Sequence, residues 1–105
     1  ALGHIEMIVP PPEELTGARV LAYALIDEST PYSGRITLYV DGELIGPVPR
    51  LVIALNNYGP DDYLLLYCNE NWDVIGAGGH ASLVAAKESA NIAYPGVASR
   101  WQDVA

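Results

Sequence analysis

The sequence predicts an α+β domain: a mostly antiparallel sheet of about five to six strands, with one main helix over residues 82–93 before the last strand. Three observations carry this. Apolar runs of strand length recur at 18–27, 51–55 and 63–68, each bounded by Gly, Pro, Asn or Asp. Asp41-Gly42 sits between two short segments as a preferred hairpin turn. The stretch after Ser82 has helical spacing, and it follows strands instead of alternating with them.

Residues 1–17 read as an extended lead-in, because Pro10-Pro11-Pro12 forbids regular hydrogen bonding there. "ARVLAYALID", Ala18 to Asp27, reads as a strand that is apolar on both faces, and "ESTPYSG" ends it. "RITLYVDGELIG" reads as a hairpin. Its Asp-Gly turn places Leu38 opposite Ile45 and Val40 opposite Glu43, with Tyr39 on the other face from Ile36, Leu38 and Val40. Gly46-Pro47-Val48-Pro49 breaks the second arm. "LVIAL" and "YLLLYC" are continuous apolar strands on either side of the "NNYGPDD" loop. Asn69-Glu70-Asn71 turns the chain into "WDVIG", read as a strand that stops at Gly76.

Ser82 is placed to cap a helix from Leu83 to about Ala93, with Leu83, Ala86, Ala90, Ala93 and Tyr94 on one side. Pro95-Gly96 stops it, and "VASRWQDV" reads as the closing strand, anchored by Trp101. Strands 20–26, 51–55 and 63–67 are apolar on both faces, yet one helix covers only part of one face. Either the sheet curls on itself, or a second chain buries its other face, as in a homodimer.

The chain has 105 residues, which fits one domain spanning 1–105, and half of them are apolar. Thirteen acids against five bases give a formal charge of −8. That balance argues against binding nucleic acid through its phosphates and fits steering toward a basic protein, or plain solubility. No apolar run reaches the roughly 20 residues that cross a membrane, and the opening "ALGHIEMIVPPPEE" has no secretory pattern. Residues before Met7 carry no weight in the functional reading. The single Cys68 excludes an internal disulfide or a CxxC site and suits a reducing, cytoplasmic compartment.

"WDVIGAGGHASLVAAKES" raises the question of a phosphate cradle, because glycines let amides approach an anion at a helix N-terminus. A dinucleotide site needs βαβ units continuing after the loop, and only about a dozen residues follow this helix. Glycines 76–79 therefore read as a bend, and no cofactor is expected. Gly78, Gly79, His80 and Ser82 remain the ligand-binding candidates of an alternative reading, a small enzyme or anion-binding domain. Cys68 with His80 as nucleophile and base has nothing in the spacing to bring the pair together. His4 and His80 are too few and too far apart for zinc, and Asn69, Glu70, Asn71 and Asp73 miss the calcium-loop spacing. Adjacent carboxylates such as Glu13-Glu14 and Asp27-Glu28 point apart on a strand.

The C-terminal half, "YLLLYCNENWDVIGAGGHASLVAAKESANIAYPGVASRW", resembles small acidic bacterial proteins of mostly unknown function, some of them immunity proteins of toxin systems. The likeness lies in Trp72 after an apolar strand, Ser82 before an alanine-rich helix, Tyr94-Pro95-Gly96 and Trp101. It implies a non-catalytic, cytoplasmic inhibitor of a toxin.

The sequence thus supports a non-enzymatic protein-binding module whose candidate contacts are Tyr58, Asp61, Asp62, Glu70 and Asp73. Acids speed encounter with a basic partner, and tyrosines supply contact energy or simply line sheet edges. Asp62 and Glu70 stand at opposite ends of one strand, so a single patch is not assured. The third reading is a structural subunit that assembles through its second sheet face.

Overall fold

The apolar runs of the sequence form the central strands of one antiparallel sheet. The computed structural model describes residues 10–26, 30–32, 38–40, 42–56 and 62–104. Its elements are β1 (Glu14–Leu15), β2 (Ala18–Leu25), β3 (Leu38–Val40), β4 (Glu43–Ile45), β5 (Arg50–Leu55), β6 (Tyr63–Cys68), β7 (Val74–His80), α1 (Leu83–Ala93), a 3₁₀ turn at Val97–Ser99 and β8 (Gln102–Asp103). The main sheet runs β1-β2-β5-β6-β7, with β8 added on β2, and each pairing is antiparallel. β3 and β4 form a separate hairpin in the expected register, Leu38 opposite Ile45 and Val40 opposite Glu43. Asp41 and the side chain of Tyr39 lie outside the described residues. The class is α+β, as expected, with a curled antiparallel sheet and one main helix.

Both faces of the central strands are buried within the chain. α1 packs its alanine stripe, Ala86, Ala90 and Ala93, on Leu51, Ile53, Leu65 and Tyr67. Small side chains let the helix sit close to the sheet, and Tyr94 fills the space at its end. On the opposite face Val52, Ala54, Leu66 and Cys68 are fully covered, in a cluster with Ala18, Val20 and Trp72. A second chain is not needed to bury that face, because the sheet curls around it.

Two bulges bend the sheet. Val20 pairs with Ala54 and Ala22 with Ile53, which leaves Leu21 as an extra residue. Simple alternation would put Ala18, Val20 and Ala24 on one face. The bulge instead sends Ala18 and Val20 to the Trp72 face and Ala24 to the helix face. The second bulge is at Ile75, because Cys68 pairs with Val74 and Tyr67 with Gly76.

Three expectations are corrected. Glycines 76–79 are not a bend: β7 continues through them to His80, pairing Gly78 with Leu65, Gly79 with Leu64 and His80 with Tyr63. Neither Gly78 nor Gly79 has a positive φ. Their amides and carbonyls extend a ladder already set by β6, and this outweighs the conformational cost of ordering glycine in a strand. "VASRWQDV" is not one strand, because Gly96, at φ +91, turns the chain into the 3₁₀ segment and leaves only Gln102–Asp103 to pair. The lead-in is not wholly extended: Thr16 and Gly17, both at positive φ, turn β1 back onto β2.

Candidate functional site

β6 separates the acidic candidates into two groups. Asp62 precedes its first residue, and Glu70 and Asp73 follow its last. Six strand residues span about 20 Å, so these acids do not form one patch. Tyr58 and Asp61 lie outside the described residues.

At the Asp62 end, two hydrogen bonds close the connection between β5 and β6. The Asn56 backbone amide donates to the Asp62 carbonyl and its side-chain amide to Asp62 Oδ2, each at 2.9 Å. The β6–β7 ladder then brings Asp62 beside the residues of the alternative site. A Cβ built on Gly79 would lie 3.9 Å from Asp62 Oδ1, and one on Gly78 would lie 3.8 Å from His80 Nε2. Gly78, Gly79 and His80 are strand residues, so they lack the loop geometry an anion cradle requires. Ser82 is committed as the helix cap, its Oγ accepting from the Ala85 amide at 3.0 Å.

At the other end, Asn69 builds a rigid turn. Its Oδ1 accepts from the Asn71 amide at 2.9 Å and the Asp73 amide at 3.0 Å. Its Nδ2 donates to Asp73 Oδ2 at 3.1 Å. This is an Asx-type turn with Trp72 at φ +65. That backbone drives the indole into the second core, edge-on to Tyr23 with centroids 5.6 Å apart and under the Arg50 guanidinium at 5.6 Å. The turn's oxygen-rich sequence is therefore used internally, while Glu70 and the backbone around it face outward.

Glu70 forms one wall of a groove of about 490 Å³. The other walls are Ile26, Thr30, Tyr32, Pro47, Val48 and Pro49. The sequence reading treats "GPVP" as a strand breaker and Tyr32 as part of a turn, so it misses this groove. One signal was present. Within Pro47-Val48-Pro49 only Val48 has an N–H, and a buried donor needs an acceptor. The acceptor is the Tyr94 hydroxyl, at 2.9 Å. The Pro49 carbonyl accepts from the Ile26 amide at 2.9 Å and from Arg50 Nη1 at 3.1 Å. Tyr32 packs on Tyr94 with centroids 5.2 Å apart. Burial raises the pKa of the Tyr94 hydroxyl, opposed by its bond from Val48, and also that of Tyr67. Both stay neutral near pH 7.

Cys68 and His80 do not meet. Cys68 pairs with Val74 near the start of β7, while His80 ends that strand. Burial, with a smaller contribution from the Asp73 charge, pushes the Cys68 thiol up to about 12. A thiol so raised has almost no thiolate at neutral pH and is a poor nucleophile.

No family model, curated protein or solved structure matches this chain.

Among the described residues, no group of three or more His, Cys, Asp or Glu side chains is placed to hold a metal. No described helix is long and apolar enough to cross a membrane.

Proposed function

We propose that the chain is a non-enzymatic module that binds a basic protein, most concretely an immunity-type inhibitor that covers a toxin's surface in the cytoplasm. One observation carries the reading: Glu70 stands exposed on a rigid turn at the rim of a tyrosine- and proline-walled groove. An acid beside a fixed apolar surface is the pattern of a partner contact, in which charge guides encounter and apolar area holds the complex. The net charge of −8 extends that guidance over the whole molecule. The likeness of the C-terminal half to small acidic bacterial proteins, some of them immunity proteins, is in keeping with it.

The experiment is co-expression with the product of the adjacent gene in the source genome. Rescue of growth, and a purified complex whose association slows as salt rises, would support the reading. A toxic neighbour that this chain fails to neutralise, or an association rate indifferent to salt, would overturn it. An assembly role would need a surface other than the second sheet face, which the chain already buries itself.

A further inference from the structure

We infer that the groove between Tyr32, Pro47, Pro49 and Glu70 receives a single lysine or arginine side chain from an extended segment of the partner. This rests on the partner-binding reading and specifies its contact. A long cationic side chain has two parts: an apolar stem, which gains from burial, and a charged head, which must stay hydrated or paired. The groove offers both in order. Ile26, Tyr32 and the two prolines supply apolar walls beside the buried Thr30, and Glu70 supplies a carboxylate on the exposed rim. An uncharged side chain would leave Glu70 unmatched, and an acidic one would be repelled by it.

The Pro47–Pro49 wall is fixed before any ligand arrives. The Val48 amide is held by Tyr94, and the Pro49 carbonyl by the Ile26 amide. Pro47 and Pro49 have restricted φ. Little ordering is then needed on binding, which is the condition for a small contact to have measurable affinity. Arg50 is not among the groove's walls: its guanidinium lies over Trp72, with Nη1 donating to the Pro49 carbonyl at 3.1 Å.

The test is an NMR titration of the isotope-labelled full chain with N-acetyl-arginine amide, and with its neutral isostere N-acetyl-citrulline amide. The expected result is shifts at the Ile26, Val48 and Glu70 amides, with arginine binding about threefold or more tighter than citrulline at low salt. Glu70→Gln should erase that preference, and Glu70 is exposed, so the variant should fold. Glu88→Gln, on the exposed side of α1, should leave it intact. Equal binding of both probes, shifts that Glu70→Gln does not reduce, or no shifts at these amides would overturn the proposal. The two failures are separable. Salt-dependent partner binding that survives Glu70→Gln moves the contact elsewhere and leaves the partner reading standing. A groove that prefers arginine in a chain that rescues no toxin leaves the groove and removes the partner reading.

Discussion

The amide of Val48 donates to the hydroxyl of Tyr94 at 2.9 Å, joining the connection before β5 to the residue that ends α1, 46 positions later. Both partners are buried, at 2% exposure each, so no water can replace either. Tyr94→Phe keeps the ring and orphans the amide. A buried donor left without an acceptor costs about 1–3 kcal/mol. Urea unfolding should show a lower midpoint with an unchanged slope. An unchanged midpoint would mean that the bond contributes nothing.

Trp72 combines a large buried ring with a left-handed backbone, φ +65. Trp72→Ala should cost about 3–5 kcal/mol by emptying the space beside Tyr23 and Arg50. Trp72→Gly loses the same ring but relieves the backbone. It should be the more stable of the two variants, by about 1 kcal/mol, against the usual order of Gly and Ala. The reverse order in thermal unfolding would argue against the left-handed turn.

Cys68 ties stability to alkaline pH. Its thiol is raised from 9.0 to about 12 in the folded chain, chiefly by burial. Below pH 9 folded and unfolded chains both keep the proton. Between pH 9 and about 12 the unfolded chain releases it first, so stability falls as pH rises through that window. Cys68→Ala should show a shallower alkaline loss. Tyr67 and Tyr94, also raised by burial, add to the loss from about pH 10 upward. Native protein at pH 8 should react with a thiol reagent far more slowly than unfolded protein. Equal rates would contradict the burial.

Gly79 gives a test of strand against loop. Its φ is not positive, and an added Cβ would meet nothing closer than 3.9 Å. Gly79→Ala should therefore be neutral or stabilise by up to about 1 kcal/mol, through the lower entropy of the unfolded chain. A loss of several kcal/mol in chemical denaturation would imply a backbone that needs glycine there.

The legible parts of the fold were those set by local chemistry. The Asp-Gly pair in the sequence predicts the hairpin register that β3 and β4 adopt, and Ser82 with the alanine stripe predicts α1 almost to the residue. The β7 glycines were not legible. Their composition favours a turn, and their strand state comes from pairing with Leu64–Leu66, a partner that propensity does not see. The bulge at Leu21 was hidden for the same reason: it shows only once Ala22 is matched to Ile53. At the candidate site, Glu70 and Asp73 were named from their acidity and turn context. The groove beside Glu70 was not, because Ile26, Tyr32, Pro47 and Glu70 come from connections far apart in the chain.

β2 has a long outer side, and two fragments of two residues each close it. Glu14–Leu15 pairs along one half and Gln102–Asp103 along the other, with the Val104 amide reaching the carbonyl of the bulged Leu21 at 2.8 Å. Stripped of either fragment, β2 would present unsated hydrogen-bonding groups to any passing strand, the starting point of fibril growth. These scraps at the periphery act as gatekeepers, keeping an apolar sheet from recruiting copies of itself.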